Sequence, residues 1–155
     1  SDADYDFISL DIRKSNIKLG FYGELEFSAE TGKFLTSKDL QFPDFNHFRG
    51  NKALSFTPAK NQFLFLNFYL ESTNQSYFEA HAEQNFKGFF TNKIPLLRKL
   101  KLQELVGLNY LSTPHLTNYK ELYFGLAYIG IKVYFGFAFD GNKQVQSGFR
   151  IAYGF

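Results

Sequence analysis

The chain has 155 residues, the length of one domain, with 21 Phe and 10 Tyr but no Trp, Met or Cys. Its 17 Lys and Arg nearly balance 15 Asp and Glu, so it lacks the basic excess of a nucleic-acid binder. The absence of Cys rules out disulfides and thiolate metal sites, and aromatics at 20% of the chain favour pleated surfaces over helices.

The opening Ser1-Asp2-Ala3-Asp4 has no basic segment leading into an apolar core, so it is not a secretory signal. It is expected of a mature exported chain or of a piece cut from a longer one. Ile8, Leu10 and Ile12 alternate with Phe7, Ser9 and Asp11, which predicts a strand with one apolar face. Residues 17–27 predict a second. There Ile17, Leu19, Phe21, Leu25 and Phe27 oppose Lys18, Gly20, Tyr22, Glu24 and Glu26.

Residues 30–60 read as a long irregular segment. The apolar run 61–70 reads as a strand of less regular alternation, joined to the next by Ser72-Thr73-Asn74-Gln75. Phe78, Ala80, Ala82 and Phe86 then share a face, opposed by Tyr77, Glu79, His81, Glu83, Asn85 and Lys87. Residues 88–100 predict a connection. Leu100, Leu102, Val106, Leu108 and Tyr110 predict the next strand, interrupted by Glu104.

The C-terminal third is the most regular. Leu122, Phe124, Leu126 and Tyr128 alternate with Tyr123, Gly125 and Ala127, and Ile129-Gly130 turns the chain. Ile131, Val133, Phe135, Phe137 and Phe139 oppose Lys132, Tyr134, Gly136 and Ala138. Asp140-Gly141-Asn142-Lys143 predicts a tight hairpin, because Asp-Gly accepts positive φ. Last, Phe149, Ile151, Tyr153 and Phe155 oppose Gly148, Arg150, Ala152 and Gly154. Residues 122–139 are apolar enough to imitate a membrane helix. Gly125, Gly130, Gly136 and the aromatics are poor helix formers, and the period is two.

About eight strands emerge, each near the ~9–11 residues that cross a bilayer when tilted. The polar faces carry Lys18, Glu24, Glu26, Glu79, His81, Glu83, Lys101, Lys132 and Arg150. Lipid-facing apolar and lumen-facing polar residues alternate in this way in a membrane barrel. The alternative is a soluble sandwich with those charges in water. The small Gly and Ala partners near the C-terminus favour a crowded lumen. The expected fold is therefore all-β: one domain over 1–155, an antiparallel transmembrane β-barrel, expected to be part of a larger one. Filling a narrow eight-stranded lumen with that many charges would be costly.

Phe149, Ile151, Tyr153 and Phe155 read as a terminal aromatic strand of the kind bacterial barrels present to their assembly machinery. Glu79, His81 and Glu83 offer metal-ligating atoms, but positions i and i+2 on a strand lie about 6.5 Å apart. A lumen ion-pair network with Lys101 or Arg150 is the favoured reading, and no metal or cofactor is assigned. Lys93, Arg98, Lys99 and Lys101 sit beside Phe89, Phe90, Ile94, Leu96 and Leu97. They form either an anchor on anionic head groups or a solvated turn. His47, His81 and His115 make no triad, no catalytic residue is assigned, and the chain is read as non-enzymatic.

Residues 39–51, Glu79-Ala80-His81-Ala82-Glu83 and the segment 88–101 resemble a family of Bacteroidota outer-membrane proteins of unknown function. In that family a carboxypeptidase-regulatory-like domain precedes a β-barrel. The resemblance runs from about residue 17 onward and implies that this chain is the C-terminal barrel part. Residues 121–155 are also distantly similar to the last strands of the BamA/TamA assembly superfamily. Arg49-Gly50 is similar to that superfamily's inward-folded loop, although here the apolar run 61–70 intervenes. The expectation is a Gram-negative outer-membrane protein, an accessory or structural component of envelope biogenesis or protein secretion. Its expected partners are outer-membrane lipid, the barrel-assembly machinery and other outer-membrane or periplasmic proteins. A passive pore or transporter for small solutes is the alternative.

Overall fold

The structure, a computed structural model, describes residues 4–38, 63–66, 73 and 75–153. Seven strands form one antiparallel sheet in strict sequence order: β1 (Asp4–Lys18), β2 (Glu24–Lys38), β3 (Ser76–Asn85), β4 (Gln103–Ser112), β5 (Tyr119–Tyr128), β6 (Ile131–Asp140) and β7 (Lys143–Tyr153). Among the described residues each strand pairs only with its sequence neighbours, and the sheet does not close on itself. Among the described residues helix is limited to three short turns, Gly20–Tyr22 between β1 and β2, and Thr91–Lys93 and α1 (Pro95–Arg98) in the β3–β4 connection. No helix among the described residues is long and apolar enough to cross a membrane, which says nothing about crossing by strands.

The tight turns follow from residues that accept positive φ. Ile129 (φ 38°) and Gly130 (φ 74°) link β5 to β6, and both central residues of a type I′ hairpin require that region. Gly141 (φ 60°) alone supplies it between β6 and β7. There Asp140 pairs directly with Lys143, as the sequence predicts.

Three expectations are corrected. Residues 17–27 are not one strand, because the chain reverses at Leu19–Gly23. Gly20 and Gly23 take φ of 62° and 87°, and the Leu19 amide bonds the Gly23 carbonyl at 2.8 Å. Alternation survived on both sides of the reversal and hid it. Residues 30–38, expected to be irregular, continue β2. The rest of that segment, 39–60, lies outside the described residues. Of the run 61–70, read as an eighth strand, only 63–66 is described, and this part stands outside the seven strands and packs on one face of the sheet.

That face is called inner here. Phe63, Leu64, Phe65 and Leu66, each under 5% exposed, pack there against Tyr77, Leu105, Leu111, Tyr119, Tyr123 and Tyr134. Inner tyrosines lie across glycines of the adjoining strand, Tyr123 over Gly107 and Tyr134 over Gly125. The missing Cβ leaves room for a ring close to the sheet, so glycine here serves close approach rather than flexibility.

Candidate functional site: a polar inner face beneath an apolar outer face

The strands sort their side chains by parity, and the sorting is the reverse of a water-soluble sheet's. A soluble sheet turns its apolar face to a core and its polar face to water. Here the exposed face carries Ile8, Leu10, Ile12, Phe78, Leu108, Leu122, Phe124, Leu126, Val133, Phe149, Ile151 and Tyr153, all at least 37% exposed. Phe135 and Phe137 share that face, ring to ring at 5.1 Å. The buried face carries Ser28, His81, Asn109, Glu121 and Lys132, none above 8% exposed.

Glu121, on β5, is completely buried. One carboxylate oxygen accepts the Phe65 amide at 2.8 Å and the Tyr119 hydroxyl at 2.7 Å. The other accepts the Leu64 amide at 2.6 Å and the Asn109 side-chain amide at 2.8 Å. Successive amides point to opposite sides of an extended strand. Both reach one carboxylate here because the chain bends at Leu64 and Phe65. Arg150, on β7, holds the same segment from the other side. Its Nε donates to the Leu64 carbonyl at 2.8 Å, and its guanidinium lies 4.7 Å from the centre of the Phe65 ring. Asn109 also bonds His81 Nδ1 at 2.9 Å, and Phe63 meets the His81 ring edge-on at 4.8 Å.

A second polar centre forms around Glu83, on β3. It takes the Lys132 ammonium at 3.3 Å and the hydroxyls of Tyr123 and Tyr134 at 3.0 and 3.4 Å. Glu26 stands directly opposite Glu83 on β2, and Glu30 opposite Glu79. Like charges facing each other across strands are destabilising in isolation, and here donors intervene. Tyr77 donates to Glu30, and Arg13, bonded to Asp11, lies 3.8 Å from Glu30. Glu24, Glu26, Glu83, Lys87 and Lys132 border a cavity of about 220 Å³. No cluster of three or more His, Asp or Glu among the described residues is arranged to hold a metal ion.

Of the polar residues singled out from sequence, the sheet brings Glu26, Glu79, His81, Glu83, Lys132 and Arg150 onto the inner face. Lys18 and Glu24 stand opposite each other on that same face, Lys18 at its exposed end, and the Glu24 carboxylate is 3.1 Å from Lys87. Lys101 is corrected outright. It belongs to no strand and sits exposed in the turn before β4 at φ 49°. Arg150, expected in an ion-pair network with Glu79, His81 and Glu83, bonds the Leu64 carbonyl.

Phe149, Ile151 and Tyr153 stand on the outer face, while Phe155 lies outside the described residues. In the basic cluster, Lys93 rests 4.1 Å over the Phe89 ring. Arg98 ends α1, and Lys99 and Lys101 follow it, with Ile94, Leu96 and Leu100 exposed among them. Glu104, which interrupts the apolar alternation, accepts the Thr91 amide and so ties this connection to β4. Sequence reasoning missed Glu121, Asn109 and Tyr119. Their parity within β4 and β5 marks them as inner, but nothing local indicates that Glu121 meets the amides of Leu64 and Phe65, more than fifty residues away.

A family model described as the C-terminal domain of a family of unknown function, DUF5686, matches residues 1–126. The chain belongs to that family. The match spans β1 through most of β5, and so includes Glu83, Asn109 and Glu121, while β6 and β7 follow it. No curated protein and no solved structure matches the chain.

Proposed function

We propose that this DUF5686 C-terminal domain forms part of the wall of a β-barrel in a bacterial outer membrane. One observation carries the proposal: the apolar face of the sheet is the exposed one and the charged face is the buried one. In water this arrangement leaves a large patch of Phe, Leu and Ile uncovered, which soluble monomers avoid. In a bilayer it is the favourable orientation. The dimensions agree. Strands β3 to β6 have 10 residues each, about 33 Å of strand, which at a tilt near 40° spans roughly 25 Å. The polar residues Gln84, Glu104, Ser112 and Lys120 stand at the ends of the outer apolar face, where such a band would meet head groups. The basic connection with exposed Leu96 and Ile94 suits the same interface.

The role that fits is structural or accessory, in envelope biogenesis or protein secretion, exerted through protein partners rather than through catalysis. It extends the sequence resemblance to outer-membrane families. The competing reading, a passive pore, draws support from the polar cavity beside Glu26 and Lys132. It has to contend with Phe63–Leu66, which is fastened over the inner face by Glu121 and Arg150. Single-channel conductance in planar bilayers separates the two.

The membrane reading is tested with full-length protein carrying one cysteine at Phe124, Ile151 or Asn142. A fluorophore at 124 or 151 is expected to be quenched by brominated acyl chains. The hairpin position 142 is expected to react with an aqueous maleimide instead. Equal aqueous reactivity at all three positions would sink the proposal.

A further inference from the structure

The sheet leaves two edges open, and their directions constrain what covers them. Every neighbouring pair from β1 to β7 is antiparallel. Odd-numbered strands therefore run one way and even-numbered strands the other, so β1 and β7 point in the same direction. Neither has a partner on its free side among the described residues. Unpaired backbone amides and carbonyls are not tolerated against lipid, so on the barrel reading both edges are covered.

Two simple closures fail on direction. Joining β1 to β7 would need a parallel ladder, and it would make seven strands where the smallest membrane barrels have about eight. A second copy inserted the same way up would set its β1 beside this β7, again in parallel. A ring of identical subunits therefore inherits the same mismatch.

We infer that an odd number of further antiparallel strands completes the barrel, and that they precede β1 in the full-length polypeptide. The inference rests on the membrane reading and adds to it the parity, the edges and the source of the missing strands. With an odd number ahead of it, β1 pairs antiparallel with the last of them. The first of them then pairs antiparallel with β7, and the total is even. The family description supports the source, since the matched region is a C-terminal domain and other chain stands before it in family members. The edge supports it too. β1 is 15 residues long and presents Ile8, Leu10 and Ile12 at 62, 61 and 56% exposure. Register shifts interrupt β1 only at its two ends, between Asp6 and Phe7 and between Lys14 and Ile17, so Phe7–Lys14 remains a regular edge with an apolar face, the kind that pairs readily with a further strand. The added strand beside β1 is expected to place its apolar residues on the Ile8–Leu10–Ile12 side and its polar ones beside Asp11 and Arg13.

The test uses unmodified full-length protein in lipid nanodiscs, read by electron microscopy and by amide hydrogen exchange. The expected result is an even-stranded barrel in which β1 and β7 each bond a different, earlier strand, with their edge amides exchanging as slowly as those of β4. A direct β1–β7 ladder, an even number of preceding strands, or a second copy at either edge would overturn the inference while leaving the membrane reading intact. Rapidly exchanging edges together with aqueous labelling at position 124 would overturn both.

Discussion

Glu121 accepts the backbone amide of Phe65 at 2.8 Å across 56 residues of sequence. With the Leu64 amide bonded to the other oxygen, one buried side chain fixes the position of a segment that belongs to no strand. Glu121→Gln replaces one acceptor oxygen by an NH₂ group and leaves one amide facing a donor. A cost of about 1–3 kcal/mol follows from a buried unsatisfied donor. Glu121→Ala, which strands both amides along with Tyr119 and Asn109, is expected to cost more. The check is the heat needed to convert folded to unfolded mobility on a gel, together with protease cleavage within 63–66. Wild-type resistance in Glu121→Ala would show that the segment is held by something else.

The Gly107–Tyr123 contact makes a sharper steric prediction. A Cβ at 107 would lie 2.0 Å from Tyr123 Cζ, so the ring has to leave and its bond to Glu83 goes with it. Gly107→Ala is expected to destabilise by roughly 1–3 kcal/mol, the range for overpacking. In a Tyr123→Ala background the same substitution is expected to be close to neutral. A double-mutant cycle measures the difference, and simple additivity would refute the contact.

Ile129 holds φ at 38° while 79% exposed. A β-branched residue is a poor occupant of that region, and asparagine is a preferred one. Ile129→Asn is expected to stabilise by about 1 kcal/mol, the scale of the left-handed penalty. Ile129→Val, which keeps the branch, is expected to give no gain. Unfolding midpoints of the two variants decide it.

A charge on the outer face separates lipid from water. Phe124→Arg is expected to cost about 2–4 kcal/mol if position 124 lies near the bilayer midplane. An exposed site of a soluble sheet would register within about 0.5 kcal/mol. Lys120→Glu, at the end of the same face of β5, serves as the tolerated control. Unchanged folding of Phe124→Arg in lipid would count against the bilayer.

The sequence by itself determined which residues share a face. Alternation in β5, β6 and β7 assigned Phe124, Val133 and Phe149 to one side and Lys132 and Arg150 to the other, because side-chain direction in a strand depends only on parity. It also determined the Gly141 hairpin, where only local backbone preference matters. Tertiary structure decided what those rules leave open. Alternation ran on through the reversal at Leu19–Gly23, since a turn of this length can preserve the pattern on both sides, and only the φ values of Gly20 and Gly23 reveal it. The run 61–70 had strand composition, but Phe63–Leu66 lie on the inner face because Glu121 and Arg150 satisfy the main-chain groups that a ladder would have bonded. Arg150 and Lys132 were visible as inward cations, yet their different partners, the Leu64 carbonyl and Glu83, follow from strand order and register, which no single strand encodes.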